Sequence, residues 1–243
     1  IIIVAMVLSA IHFGILYATM TGRRNNIFRS EVVRTFIGMM TIIALVISFS
    51  LLADGVYDNW GEAIRHSAFQ VASITTTSGF ATADTNTWTP LAIMLLVFLS
   101  VVCGCAGSTS GGIKIARIVL LMKNSYYEFK RLIHPNAVIP VRYNNQIVQP
   151  HIINNVLAFV VVYMVVVLLS TVVFTATGLN FEDAFGASAS ALGNVGPSIG
   201  TIGTGNFSHF TAPAKWLMSF LMLVGRLELF TVLILFTPSF WKK

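Results

Sequence analysis

Asn59-Trp-Gly-Glu-Ala-Ile-Arg-His-Ser-Ala-Phe-Gln-Val-Ala-Ser-Ile-Thr-Thr-Thr-Ser-Gly-Phe80 and Asn180-Phe-Glu-Asp-Ala-Phe-Gly-Ala-Ser-Ala-Ser-Ala-Leu-Gly-Asn-Val-Gly-Pro197 are two versions of one pattern. Each opens on an Asn followed three residues later by an acid, Glu62 or Asp183, which is a helix-start signal. Each continues through three to four turns of small and apolar residues and ends in a small-residue run with a Gly. Ala72-Ser73, five residues and Gly79 recur as Ala189-Ser190, five residues and Gly196, offset by 117 in both cases. Helices of this length are too short to cross a bilayer, so half-membrane re-entrant helices fit them best.

The flanking sequence agrees. The chain is 243 residues long, 56% hydrophobic and only 10% charged, with a mean hydropathy of +0.80; soluble domains average about 25% charged. Apolar runs at residues 1–20, 36–52, 91–122, 152–177 and 216–236 predict five spans of an all-α membrane protein in the lipid bilayer. The +6 formal charge comes from 15 sparse basic residues without interleaved aromatics, so nucleic acid is not expected as a partner.

Ten of the fifteen basic residues fall on one side of this topology: Arg23, Arg24, Arg29, Arg34, Lys123, Lys130, Arg131, Arg142, Lys242 and Lys243. The opposite loops carry Asp54, Asp58, Glu62, Asp84, Glu182 and Asp183. The basic side is therefore expected to be cytoplasmic, together with the C-terminus. The organisation that follows is 1–34 as a last helix of a preceding repeat plus a cytoplasmic link, then 35–130 as a repeat unit with loops 75–80 and 104–112. A cytoplasmic link at 131–150 leads to a second unit, 151–243, with loop 193–197. Span, half-helix, Gly-containing loop, span thus occurs twice, the sequence sign of a pseudosymmetric channel or transporter.

A half-helix entering from outside points its negative C-terminal end at the bilayer middle, and the Gly after it permits backbone angles that turn carbonyl oxygens inward. Such oxygens replace the water shell of a dehydrated cation. Neither loop carries a carboxylate, which favours a monovalent alkali ion. Cys103 and Cys105 have no His near them in sequence and read as small membrane residues rather than metal ligands.

The third run is interrupted by Gly104-Cys-Ala-Gly-Ser-Thr-Ser-Gly-Gly112. About 13 residues precede it, a rise of roughly 20 Å, so it falls past the middle of a core about 30 Å thick. Non-helical backbone at that depth must be buried in protein or line water; tight small-residue helix packing is the alternative. Arg226 lies ten residues from either end of the last run. Its insertion cost, roughly 2.5–3.5 kcal/mol, marks a pore-facing role, in which it holds the Gly/Ser loop and sets a barrier to cations. A static interhelix tie is the plainer reading. Glu228 faces elsewhere on a continuous helix, and Lys114 and Arg117 lie nearer the cytoplasmic end, where Arg117 can snorkel.

Ser73-Ile-Thr-Thr-Thr-Ser-Gly-Phe80, Gly104 to Lys114, Leu192-Gly-Asn-Val-Gly-Pro197 and Gly225-Arg-Leu-Glu228, in this order, resemble the Trk/Ktr/HKT superfamily of potassium transporters, and within it the membrane subunits of bacterial Trk uptake systems. The resemblance implies repeated helix–pore-helix–filter-loop–helix units like those of potassium channels, with a broken helix in the third span. It implies potassium as the transported ion, with no other cofactor, at Thr76, Thr77, Ser78, Gly79, Asn194, Val195 and Gly196. The second Gly of the potassium-channel signature is absent, which suggests fewer ordered ion sites and weaker selectivity. A gate is implied at Gly104, Gly107, Ser108, Thr109, Ser110, Gly111, Gly112 and Arg226. The resemblance further implies a bacterial inner-membrane location, a homodimer and a cytoplasmic nucleotide-binding regulatory subunit.

The leading expectation is gated potassium permeation. Sodium permeation or sodium- or proton-coupled symport is the second. A membrane-embedded enzyme is the alternative of another class, disfavoured because no span contains Asp and Gly107-Ser-Thr-Ser-Gly111 centres Thr109 rather than a Ser nucleophile. A pore of this family needs four units and the chain shows two, and it begins at Ile1 without Met; the upstream half of the same subunit is expected as its partner.

Overall fold

Long apolar runs bordered by turn residues dictate helices, and the computed structural model shows how few of them run straight. It describes residues 1–22, 30–134, 139–144, 146–197, 207 and 210–241. Helices α1 (Ile2–Ser9) and α2 (Phe13–Met20) come first, bent by 110°. Next are α3 (Glu31–Ala53), α4 (Trp60–Thr75) and α5 (Pro90–Val101). The two-residue strands β1 (Val102–Cys103) and β2 (Ile113–Lys114) enclose residues 104–112 and lead into α6 (Ile115–Ile133). The hairpin β3 (Arg142–Tyr143) and β4 (Gln146–Ile147) precedes α7 (Pro150–Ala176), α8 (Phe181–Gly193), α9 (Ala212–Arg226), α10 (Leu229–Leu235) and α11 (Pro238–Trp241).

Among the described residues only α3 and α7 are single helices long and apolar enough to cross a membrane, with mean hydropathies of 2.4 and 2.9. Three of the five expected spans are interrupted. The third breaks at the Gly/Ser segment, as its glycines predict. The first and fifth were expected to be continuous, and instead each turns by 110°. At the fifth, Arg226 ends α9, where a cation offsets the negative helix terminus, and Glu228 follows with a positive φ of 63° that stops the helix. In the first, the Ser9 hydroxyl turns back to Met6 O (2.7 Å) and His12 restarts the chain as an N-cap.

The duplicated unit is present as packed structure. In the first copy α4 lies between α3 and α5; in the second, α8 lies between α7 and α9. Each copy has its own apolar centre. One gathers Phe36, Ile47, Leu51, Leu96 and Leu99, the other Phe174, Leu192, Met218 and Leu221. The copies meet where α5 packs on α8. The short helices α4 and α8 start at Asn59 and Asn180 as expected, yet neither Asn side chain makes the capping hydrogen bond that the motif suggested.

The link expected at 131–150 starts late. Helix α6 continues to Ile133, Lys123 on it forms an ion pair with Glu31 (2.5 Å) and donates to Arg142 O (3.1 Å), and Asn144 Oδ1 accepts from Glu31 N (3.2 Å). The start of α3, the far half of α6 and the hairpin therefore share one end of the molecule. Arg23, Arg24, Arg29, Lys242 and Lys243 lie outside the described residues.

Phe36 and Phe174 are fully buried, one in each centre. Either changed to Ala is expected to cost about 3–5 kcal/mol, read as a lower midpoint in denaturant titration of the detergent-solubilised protein.

Candidate functional site

The two short helices end alike, down to individual hydrogen bonds. At the end of α4, Ser78 N donates to Ser73 O (2.9 Å) and Thr77 N to Ile74 O (3.0 Å); at the end of α8, Val195 N donates to Ser190 O (3.0 Å) and Asn194 N to Ala191 O (3.2 Å). Every atom of one set lies 117 positions from its counterpart. The long bond closing over a left-handed residue is a Schellman-type cap. The left-handed residues are Thr77 (φ 56°) and Asn194 (φ 55°), neither of them Gly. Two positions on, Gly79 (φ 75°) and Gly196 (φ 108°) are positive again. Alternating backbone handedness breaks the up-and-down alternation of an extended strand, which allows successive carbonyls to share a side.

Both loops sit at the interior ends of their helices. The last six residues of α4 are buried, and all of α8 from Asp183 to Gly193 is buried except Phe185. The loops also face each other: a Cβ on Gly79 would stand 2.7 Å from Val195 O and 3.3 Å from Pro197 Cδ. Thr76 Oγ1 and Ser78 Oγ share a hydrogen bond (2.9 Å), and Ser190 Oγ donates to Pro197 O (2.7 Å). Thr76, Thr77, Ser78, Gly79, Asn194, Val195 and Gly196 are thus on two loops brought together at Gly79 and Val195, and none of the seven carries a carboxylate.

Residues 104–112 leave and rejoin the chain through a parallel bridge, Val102 with Ile113 and Cys103 with Lys114. The excursion packs directly on the first loop pair. Gly111 N donates to Thr77 Oγ1 (3.3 Å), and any side chain on Gly111 would strike Gly193 O. Asn194 wedges between Gly111 and Gly225, its Nδ2 buried without a partner among the described residues.

Three consecutive carbonyls of this excursion point to cations. Lys114 Nζ donates to Ser108 O (3.3 Å) and Ser110 O (2.6 Å), and Arg226 Nη1 donates to Thr109 O (2.8 Å). Ser108 Oγ and Ser110 Oγ bond each other (2.7 Å). Arg226 thus reaches the loop as the sequence suggested. Lys114, which the sequence placed nearer the cytoplasmic end, holds the same loop. A cavity of about 230 Å3 lies here, lined by Ser108, Thr109, Lys114, Arg117, Arg226 and Glu228 among others. Glu228 pairs with Arg117 across 111 positions (3.3 Å), and the Arg117 guanidinium lies 3.8 Å over the Phe159 ring. Neither partner was foreseeable from local spacing; the one signal was that a spanning run held two charges, Arg226 and Glu228, close together.

Cys103 and Cys105 are buried and free, and no cluster of three or more His, Cys, Asp or Glu occurs among the described residues.

The chain that carries this duplicated geometry has known relatives. Residues 1–243 match the TrkH family, described as cation transport protein. The chain belongs to the TrkH family. Among curated relatives, the Trk system potassium uptake protein TrkH of Salmonella typhimurium is 35% identical over 244 residues, covering 100% of this chain and 50% of that protein. The protein of the same description from Escherichia coli (strain K12) is 36% identical over the same length and shares. The crystal structure of the potassium transporter TrkH from Vibrio parahaemolyticus superposes with a TM-score of 0.92 at 35% identity, covering 99% of this chain and 52% of that one. The chain spans about half the length of the curated relatives it matches. The TrkH-family match establishes the helical membrane fold with pore-helix repeats, and the relatives' names, those of transporters, set aside the membrane-enzyme alternative.

Arg226→Ala removes a charge-assisted hydrogen bond, a class worth about 1.5–3 kcal/mol. Amide hydrogen exchange across 107–112 is expected to speed up at least tenfold in this variant, while α3 and α7 exchange as before.

Proposed function

We propose that this chain forms part of a potassium uptake system, in which potassium passes the two facing loops and then the Gly/Ser excursion. The observation that carries the reading is the paired loop geometry: two inward helix ends with matching caps and alternating left-handed residues, meeting at Gly79 and Val195. Thr76, Thr77, Ser78, Gly79, Asn194, Val195 and Gly196 act as the filter, their carbonyl and hydroxyl oxygens replacing water around the ion. The negative ends of α4 and α8 lower the cost of the cation at the centre.

Residues Gly104, Gly107, Ser108, Thr109, Ser110, Gly111 and Gly112 form the movable constriction, and Arg226 fastens it. A guanidinium at that point also repels a passing cation. The names of the curated relatives support potassium as the ion.

The end that gathers Arg34, Lys123, Lys130, Arg131 and Arg142 is read as cytoplasmic by the positive-inside rule, with the C-terminus on that side and the protein in the bacterial inner membrane. Residues 35–130 and 151–243 are the two repeat units of this pore, with 1–34 ending a preceding unit and 131–150 linking the two. The reading includes an upstream half that completes the ring of units, a homodimer and a cytoplasmic nucleotide-binding regulator, in keeping with the family resemblance.

Flux of K+, Rb+, Na+ and Li+ through the complete system in proteoliposomes tests the reading. K+ and Rb+ are expected to pass faster than Na+ and Li+, and Gly79→Ser and Gly196→Ser to reduce flux or that preference by at least tenfold. Flux and selectivity unchanged in both variants would remove the filter assignment; Na+ passing fastest would favour sodium permeation.

A further inference from the structure

The bend between α1 and α2 is a second holder of the Gly/Ser loop beside the Arg226 fastening. Cys105 N donates to Ala10 O (2.9 Å), Thr109 Oγ1 to Ser9 O (3.4 Å), and Phe13 N to Gly107 O (3.4 Å). His12 stands at the corner. Its backbone is outside the helix (φ −57°, ψ 122°), and its Nδ1 accepts from Gly14 N at 2.9 Å, capping α2.

The same ring is wedged between two glycines. A Cβ on Gly14 would come within 2.9 Å of His12 Cε1, and a Cβ on Gly107 within 2.5 Å of Cδ2 and 2.7 Å of Nε2. Gly107 is also left-handed (φ 75°). One imidazole therefore sets both the first turn of α2 and the position of the loop.

An Nδ1 that accepts a hydrogen bond carries no proton. Imidazolium has donors at both nitrogens, so protonation removes the cap and places a positive charge at the positive end of α2. The titratable groups nearby in the chain are Tyr17 on α2, Cys105 and Lys114 on the loop and its exit strand, and Glu62, Arg65 and His66 on α4, against which α1 packs. Lys114 is engaged with the loop carbonyls, His66 with Thr82, and the Cys105 thiol meets the His12 main chain rather than its ring. Among the described residues no carboxylate forms an ion pair with His12 to hold the charged form.

On the permeation reading above, we infer that His12 is a positioning residue for the Gly/Ser loop: the neutral ring holds the loop as observed, and protonation releases it, so that cation flux rises as pH falls.

The test is cation flux through the complete transport system in vesicles held at equal pH on both faces, between about pH 8 and 5.5. Wild type is expected to rise about fivefold, the size of one helix cap. His12→Asn supplies a capping oxygen that does not titrate; its flux stays low and flat across the range. His12→Ala is raised at both ends. Hydrogen exchange of residues 104–112, corrected for the intrinsic effect of pH, is expected to follow the same order in the same preparations. A flat wild-type profile in both measurements, or a His12→Asn variant that keeps the wild-type rise, overturns the inference. Loop exchange that quickens at low pH in wild type but not in His12→Asn, with no cation flux in any sample, upholds the role of His12 and removes the permeation reading instead.

Discussion

A bilayer core offers no water to unpaired peptide groups, and each one left bare there costs several kcal/mol. A departure from helix in such a core needs polar partners from protein. The excursion at 104–112 is the severest departure, and its repair draws on most of the molecule. Ile115 N returns to Gly104 O (3.1 Å), Cys105 N goes to Ala10 O, Gly111 N to Thr77 Oγ1, and the carbonyls of Ser108, Thr109 and Ser110 go to Lys114 and Arg226. The bends at Ala10–His12 and Leu227–Glu228 follow from the same demand, because two straight spans could not bring Ala10 O from one side and the Arg226 guanidinium from the other.

That constraint also explains which features were legible in the sequence. The duplication was legible because both copies carry one local pattern, an Asn with an acid three residues on and later Ala-Ser, five residues and Gly; the left-handed residues at Thr77 and Asn194 are visible only in the structure. Asn194 is a residue type that tolerates that conformation, whereas Thr77 is β-branched and pays for it in strain. The broken third span was equally legible, since four glycines in nine residues leave no continuous lipid-facing helix. The straight spans α3 and α7 follow from composition alone.

The bends of the first and fifth spans were not legible, for a definite reason. Hydropathy counts apolar residues and is blind to direction, so one His in 20 residues or an Arg and a Glu in 21 leaves the average nearly unchanged. The pairing of Glu228 with Arg117 joins positions 111 apart, and no local spacing encodes it. Lys114 was discounted because its place in a continuous helix would be near the lipid headgroups. The parallel bridge at 102–103 and 113–114 folds the excursion out of that helix and returns Lys114 beside its own loop. A charge inside an apolar run is therefore better read as a mark of where the helix stops than as a side chain on an unbroken one.

Carbonyl oxygens of the kind that replace the water shell of an alkali ion hold protein cations in the Gly/Ser excursion. The loop carbonyls of Ser108, Thr109 and Ser110 form a cluster of the kind that could hold a dehydrated alkali ion, and they are occupied by an ammonium and a guanidinium. Both are tethered, so their local concentration exceeds that of any free ion, and both carry the charge that would repel one. A free ion approaching those oxygens meets both charges. Lys114 sits four residues from Ser110 at the exit of the same excursion, whereas Arg226 is anchored on α9, which packs on α8 and brings Gly225 against Asn194. Movement of the loop away from α9 therefore breaks the Arg226 bond first and leaves the Lys114 bonds intact. Of the two cations, the one on the separate helix ties the loop to the rest of the fold, and the other is carried by the loop's own exit.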